Sequence, residues 1–346
     1  MFQGIDLSSD TATKPTDAMK AAMMNALLGD EQKDEDPTTL ELQKMTGDML
    51  GFDHALFLPS ATMANQIAIS ALCNPGEVVL AAENAHIFLS ESGGPAVHAG
   101  VVCRAVPALT GTFTADQIKK QDHWQKNYRH PAVTLISIEN TVNFSGGISW
   151  KKEELDSVVN YAKKRDIHLH LDGSRLFNAS IRTGLSSKEI CKGFDTVTLC
   201  LSKGLGCPMG ALIAFNKKHY LKIRHLKFLM GGAMRQTGMI AAAGIYALKN
   251  NIDRLNEDHK NAQLFSNELT KFDSHIRVVT HSPETNMVLF DWIFDTVSSE
   301  EFVSRCLKNN LRFSRMSENR FRAVTHLDVI KEDIIAAANI IADICC

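Results

Sequence analysis

The chain has 346 residues, enough to bury a substantial core, and that length suits one large domain with a smaller companion. Apolar residues make up 45% and charged residues 22%, with 21 Gly and 9 Pro, which is a globular composition and excludes a disordered or fibrous chain. A net charge of −2, with Lys and Arg spread along the sequence, offers no basic field, so neither nucleic acid nor an anionic membrane surface is an expected partner.

From Ile5 to Pro15 the chain reads as an extended or looping arm, followed by a helical pattern over Ala18–Leu28 and an acidic, turn-rich loop over Gly29–Pro37. A helix from about Thr38 to Leu50 leads into the strand-like run Ala55–Pro59. SATMANQIAISAL then opens with small polar residues before taking up helical spacing, so a strand runs into a helix start. The alternation continues. EVVLAA and Val133–Glu139 read as strands, Lys152–Arg165 as a helix, and Ile167–Asp172 as a further strand. Strands separated by helices imply a parallel sheet covered on both faces. After Asp195, two strand-like runs flank the Gly-rich turn of TVTLCLSKGLGCPMGALIAF, and a helix-rich passage extends to about Leu269. Beyond Ser274, IRVVT and MVLFDW alternate with helices at Ser299–Lys308 and Lys331–Ile344, a compact α/β unit. This reading divides the chain into a large unit, residues 1–255 with the N-terminal arm, and a small C-terminal one, residues 256–346.

No apolar run approaches the roughly 20 residues that span a bilayer, and Met1–Pro15 lacks the blocks of a signal peptide, so a cytoplasmic location is expected. The eight cysteines, at positions 73, 103, 191, 200, 207, 306, 345 and 346, show neither CxxC pairing nor metal spacing with His. They read as reduced thiols, and no metal is expected.

The chemistry concentrates at strand ends. Asp172 closes the apolar strand IHLHLD, and Lys203 ends the strand VTLCLS in a Gly-rich loop, 31 residues on (203 − 172). Ligands of open α/β sheets sit beyond the carboxyl ends of strands, so the two side chains are expected to meet in one crevice. A lysine forms a Schiff base with an aldehyde cofactor, and a carboxylate paired with a pyridine nitrogen keeps that nitrogen protonated. Taken alone the pair is weak, because a loop lysine is usually solvated and an Asp at a strand end is often a helix cap. Ser60, Ala61, Thr62 and Met63 lie at a strand-to-helix turn, where free backbone N–H groups and the helix dipole favour a phosphate.

LHLDGSRLFNA at Leu169–Ala179 and CLSKGLGCPMGAL at Cys200–Leu212 resemble the paired signatures of the low-specificity L-threonine aldolases. These belong to the aromatic amino acid β-eliminating lyase/threonine aldolase family of fold type I pyridoxal 5′-phosphate (PLP) enzymes. IDLSSDTATKPT, GDEQKDEDPT, LFLPSATMANQ, AHIFLSESGGPA, ISIENT, GGAMRQTG, RLNEDHKNA, TNMVLF and RAVTHLD resemble family segments in the same order, nearly end to end. The resemblance implies an α/β fold: a mostly parallel central sheet with helices on both faces, and a smaller C-terminal α/β subdomain. It makes Lys203 the cofactor-bearing lysine, Asp172 the partner of the pyridine nitrogen, and His86 the residue stacked on the ring near the substrate hydroxyl. It gives the phosphate to Ser60–Met63 and to Arg235, the latter reaching from a neighbouring subunit. It gives the substrate carboxylate to Arg322 and Arg175 with Ser9 in the same pocket, Arg175 also lying against the cofactor. A small-molecule amino acid substrate, cleavage to glycine and an aldehyde, glycine biosynthesis, and a homodimer or homotetramer are implied by the same likeness.

The chain also departs from that pattern. Val142 stands where relatives carry a histidine thought to contact the substrate hydroxyl, which points to a bulkier or less polar β-substituent. Ser8 replaces a common arginine, Lys33 and Asp34 a Tyr-Gly pair, and Ala61 and Ala64 glycines near the phosphate. Two rival readings stay open. One is β-elimination from serine or an aromatic amino acid, and the other is a protein that binds PLP without turnover.

Overall fold

The computed structural model describes residues 2–122 and 128–345. Its strands are β1 (Ile5–Leu7), β2 (His54–Leu58), β3 (Val78–Ala82), β4 (Val102–Val106), β5 (Val133–Glu139), β6 (His168–Gly173), β7 (Thr196–Cys200), β8 (Ala211–Phe215), β9 (Ile276–Val278), β10 (Met287–Trp292), β11 (Leu311–Arg315) and β12 (Arg320–Val324). The helices up to the middle of the chain are α1 (Asp17–Met24), α2 (Pro37–Leu50), α3 (Ala61–Leu72), α4 (His86–Leu89), α5 (Gly94–Ala99), α6 (Ala115–Asp122) and α7 (Lys152–Arg165). The rest are α8 (Leu176–Thr183), α9 (Ser187–Ile190), α10 (Tyr220–Leu229), α11 (Gly238–Asn250), α12 (Leu255–Leu269), α13 (Ser299–Lys308) and α14 (Lys331–Cys345).

Seven strands form the large sheet in the order β2-β8-β7-β6-β5-β3-β4. From β7 to β4 neighbouring strands are parallel, and β8 alone runs against its neighbours β2 and β7. Every residue of β3, β7 and β8 is buried, as a sheet sandwiched between helices requires. Alternate side chains serve opposite faces: Val79 and Ala81 pack with Ile69 and Leu72 of α3, whereas Val78 and Leu80 join Leu42 of α2, Val158 of α7 and Ala243 of α11. The expected parallel sheet with helices on both faces is present. Local signals place its helices: Asp36 Oδ1 accepts from Thr39 N at 2.8 Å with Pro37 at the first turn, and Gly51 ends α2 in a left-handed conformation. No helix among the described residues is long and apolar enough to cross a membrane.

The second sheet, in the order β1-β11-β12-β10-β9, is antiparallel apart from β1, which lies parallel to β11. Its core is aromatic, with Trp292 stacked on Phe302 at 4.0 Å and Phe290, Phe313 and Phe321 around them. The N-terminal arm therefore supplies a strand to the C-terminal sheet, although the sequence reading grouped it with the large unit. The helix read over Ala18–Leu28 stops at Met24, and Leu27 and Leu28 are exposed beyond it.

Candidate active site

Chain direction brings the carboxyl ends of β2, β3, β5, β6 and β7 to one end of the large sheet, and the loop or helix start after each strand lines that end. After β2 comes Ser60, whose Oγ accepts from Met63 N at 3.2 Å and caps α3. The first amides of α3, at Ala61 and Thr62, have no partner within the helix, and Ser60 and Thr62 are exposed. After β3 comes His86, at the end of β6 Asp172, and after β7 Lys203, whose backbone oxygen accepts from Thr13 Oγ1 of the arm at 2.9 Å. The Lys203 side chain is half-buried and lines a small cavity with Ser174, Arg175, Cys200 and Leu255. A roomier cleft of about 500 Å³ lies elsewhere, at the amino end of β6 around His168, Asp195 and Lys218, and contains none of these residues.

Asp172 is buried. Its Oδ1 accepts from Ser174 N at 3.1 Å and Ser174 Oγ at 2.6 Å, and its Oδ2 accepts from Asn65 Nδ2 at 2.9 Å. Three of the roughly four acceptor positions of a carboxylate are filled, so about one remains for an incoming donor. Burial works against its ionisation, but Lys203, His86 and the Ser174 hydroxyl outweigh it and hold the carboxyl below its usual range.

His86 Nδ1 lies 2.9 Å from Glu91 Oε1, and its backbone N–H donates to Glu139 Oε2 at 2.8 Å. The bond to Glu91, reinforced by Asp172 against the effect of burial, raises the imidazole above its usual value. Glu91 also accepts from Asn65 Nδ2 at 2.8 Å and from Gln66 Nε2. Glu139 is pushed up by burial and by the Asp172 charge, against the pull of the Asn143 and His86 amides. One ring nitrogen of His86 and one carboxylate oxygen each of Glu91 and Asp172 lie within 4.8 Å of one another, and the Asn65 amide nitrogen donates to both carboxylates.

The arginines separate by partner. Arg175 donates from Nε to Asp10 Oδ2 and from Nη2 to Asp10 Oδ1, both at 2.7 Å, and from Nη1 to Asn143 Oδ1 at 3.3 Å. Its two-pronged face, which the sequence reading offered to a substrate, is filled by a carboxylate of the chain itself. Arg320 pairs with Asp291 and Arg315 with Glu300. Arg322 differs: Nη1 donates to Asn143 Oδ1 at 2.8 Å, Nη2 reaches the Ser8 carbonyl at 3.5 Å, and the buried Nε has no partner. Burial, then the charge of Arg175, pulls its guanidinium down to about 10, the mark of a cation lacking a paired counter-ion. Ser9 caps the short turn Asp10–Ala12 beside this group.

Two expectations shift. Val142 is 1% exposed and packs on Gly111, where a Cβ would meet Val142 Cγ1 at 2.3 Å, so it is a core residue. Arg235 is exposed and donates to Asp30 Oδ2 at 2.8 Å, so within this chain its charge is spent on Asp30. Its loop nevertheless approaches the head of α3, where a Cβ at Gly232 would meet Met63 Sδ at 2.5 Å. Sequence reasoning missed Asn65, Glu91, Asp10, Glu139 and Asn143. All five sit inside or beside the family-like segments, but as neutral or acidic neighbours they gave no signal of their own.

The model of a family described as beta-eliminating lyase matches residues 6–293. The low-specificity L-threonine aldolase of Escherichia coli (strain K12) is 36% identical over 338 residues, covering 96% of this chain and 97% of that protein. Low-specificity L-threonine aldolase 1 of Arabidopsis thaliana is 36% identical over 338 residues, covering 96% and 94%. Among solved structures, the threonine aldolase of Leishmania major matches with a TM-score of 0.84 at 20% identity, over 99% of this chain and 100% of that one. That likeness shows the fold, which is fold type I of the PLP enzymes. With strand ends, lysine, aspartate and fold in agreement, the chain belongs to the beta-eliminating lyase family, alongside the low-specificity L-threonine aldolases.

Proposed function

We propose that this chain is a PLP-dependent aldehyde-lyase that splits L-threonine, L-allo-threonine or a related β-hydroxy-α-amino acid into glycine and an aldehyde. One observation carries the reading: an ionised Asp172 with an acceptor position to spare shares a sheet end with Lys203 and with an Arg322 whose Nε is unpartnered. The residues fit the cofactor. An aldehyde suits the Lys203 amine, a pyridine N–H suits Asp172, and a phosphate suits Ser60 Oγ and the free amides of Ala61 and Thr62.

When bound, PLP draws off the electrons of the Cα–Cβ bond as it breaks. The remaining work belongs to the chain. Asp172, kept ionised, retains a proton on the ring nitrogen. Arg322, with Ser9 alongside, receives the substrate carboxylate and so sets the orientation of Cα. Glu91 holds His86 through Nδ1, which leaves Nε2 as the acceptor of the β-hydroxyl proton. The same Glu91 stabilises the imidazolium that results, consistent with the raised imidazole.

We place the enzyme in the cytoplasm as a homodimer or homotetramer that supplies glycine, built from units 1–255 and 256–346 with β1 crossing to the second. Exposed apolar side chains along α10 (Leu221, Phe228, Leu229), together with Met24 and Leu27, support assembly, since such a patch calls for cover. The test supplies PLP-loaded protein and Lys203→Ala with L-threonine, L-allo-threonine and phenylserine. Glycine and an aldehyde, lost in Lys203→Ala, are expected; ammonia and a keto acid would move the reading to β-elimination.

A further inference from the structure

Asn65 is 1% exposed, one turn into α3 from the Ser60 cap, and both amide hydrogens and the amide oxygen have partners. Nδ2 donates to Glu91 Oε1 at 2.8 Å and to Asp172 Oδ2 at 2.9 Å, and Oδ1 lies 3.1 Å from His170 Nε2. Two carboxylates on one side fix the amide's orientation, so His170 Nε2 carries the hydrogen and His170 Nδ1 accepts from Thr196 Oγ1 at 2.8 Å. Burial lowers His170 to about 4, so it serves as a neutral donor. The same Glu91 Oε1 also holds His86 Nδ1.

We propose that Asn65 is a positioning residue: one amide nitrogen ties the Glu91–His86 pair to Asp172, so that α3 grips the cofactor phosphate at its first turn and aims the ring's carboxylate from its second. The inference rests on the functional reading given above. The amide contacts Glu91 after α4 and His170 and Asp172 on β6, and the charged or titratable groups acting on His86 and Asp172 beyond it are Glu139 on β5 and Lys203 after β7. Loss of this nitrogen removes both hydrogens that lie between Glu91 and Asp172. Asp172 then titrates upward, and the proton-accepting and electron-accepting ends of the site loosen together.

The test uses Asn65→Leu, which keeps the volume and removes the donors, and Asn65→Ser, a smaller change in case leucine does not fold. Wild type is first titrated with PLP. Failure there, or no borohydride-fixed label at Lys203, sinks the functional reading itself. Given a binding wild type, the folded Asn65 variant is expected to show a ~10- to 100-fold higher PLP dissociation constant. Its visible absorption band should titrate with a midpoint displaced by about one pH unit, and kcat should fall more than KM rises. Gln66→Leu, which strips a donor from Glu91 alone, should leave the PLP dissociation constant within about twofold of wild type. A purely structural Asn65 would lower the melting temperature without moving the band's midpoint. A folded variant with the wild-type PLP dissociation constant and midpoint overturns the proposal.

Discussion

Arg322 lies between neutral oxygens of Asn143 and Ser8, no carboxylate among the described residues bonds it, and its Nε has no partner. On the proposed function a substrate carboxylate supplies both, so Arg322→Met is expected to raise KM by about 100-fold, or about 2.7 kcal/mol. Its melting temperature should not fall, because a buried cation without a paired counter-ion gives way to an apolar chain of similar length. Steady-state kinetics beside thermal melts check both halves. His170 makes a pH prediction. Its folded value of about 4 lies below the ordinary 6.5, so the unfolded chain binds the extra proton in that window and stability falls as pH drops from 6.5 to 4. The loss approaches about 3 kcal/mol. Urea denaturation of His170→Gln should show a flatter slope there, with His259, also lowered to about 4, supplying the residual slope. Lys203, Asp172 and His86 were legible because charge, strand end and motif coincide on each. Asn65 was not, since its meaning depends on Asp172, which lies 107 residues away in sequence.

Regular elements with a single strong period were readable almost to the residue, as in β5, β10, α7 and α13. Those lost in reading were short or at a margin. β4 is the outermost strand of the large sheet, and four of its five residues, Val102–Ala105, are only partly covered, so no alternation marks it; β1 has three residues. The Val142 departure shows the limit of motif logic. A position inside a functional block faced the core here, because Gly111 leaves a hollow that the valine fills. Gly111 has φ of 76° and no room for a methyl group, so Gly111→Ala is expected to cost about 2–3 kcal/mol. In a Val142→Ala background the penalty should drop toward the roughly 1 kcal/mol of the backbone alone, a double-mutant cycle read by chemical denaturation. Equal penalties in both backgrounds would remove Val142 from the account.

A buried ion pair joins the two sheets. Asp10 of the arm bonds Arg175 at the head of α8, and Asn286 beside β10 donates to the same carboxylate at 3.4 Å. Burial opposes the charge on Asp10, but Arg175 more than offsets it and holds the carboxyl well below its usual range. The stability so gained is therefore present above the unfolded value near 3.9 and is lost as pH falls below it. Asp10→Asn strands a buried guanidinium and is expected to cost about 3–5 kcal/mol, measured by urea unfolding at pH 7, with PLP affinity falling in parallel as Thr13 releases the Lys203 loop. The placement of β1 bears on biosynthesis. Its partner strand lies 306 residues later, so β1 must wait, unpaired, until β11 has been translated. Closure of the second sheet, and with it the setting of Arg322 against Ser8, therefore comes late, once β11 and β12 have been made.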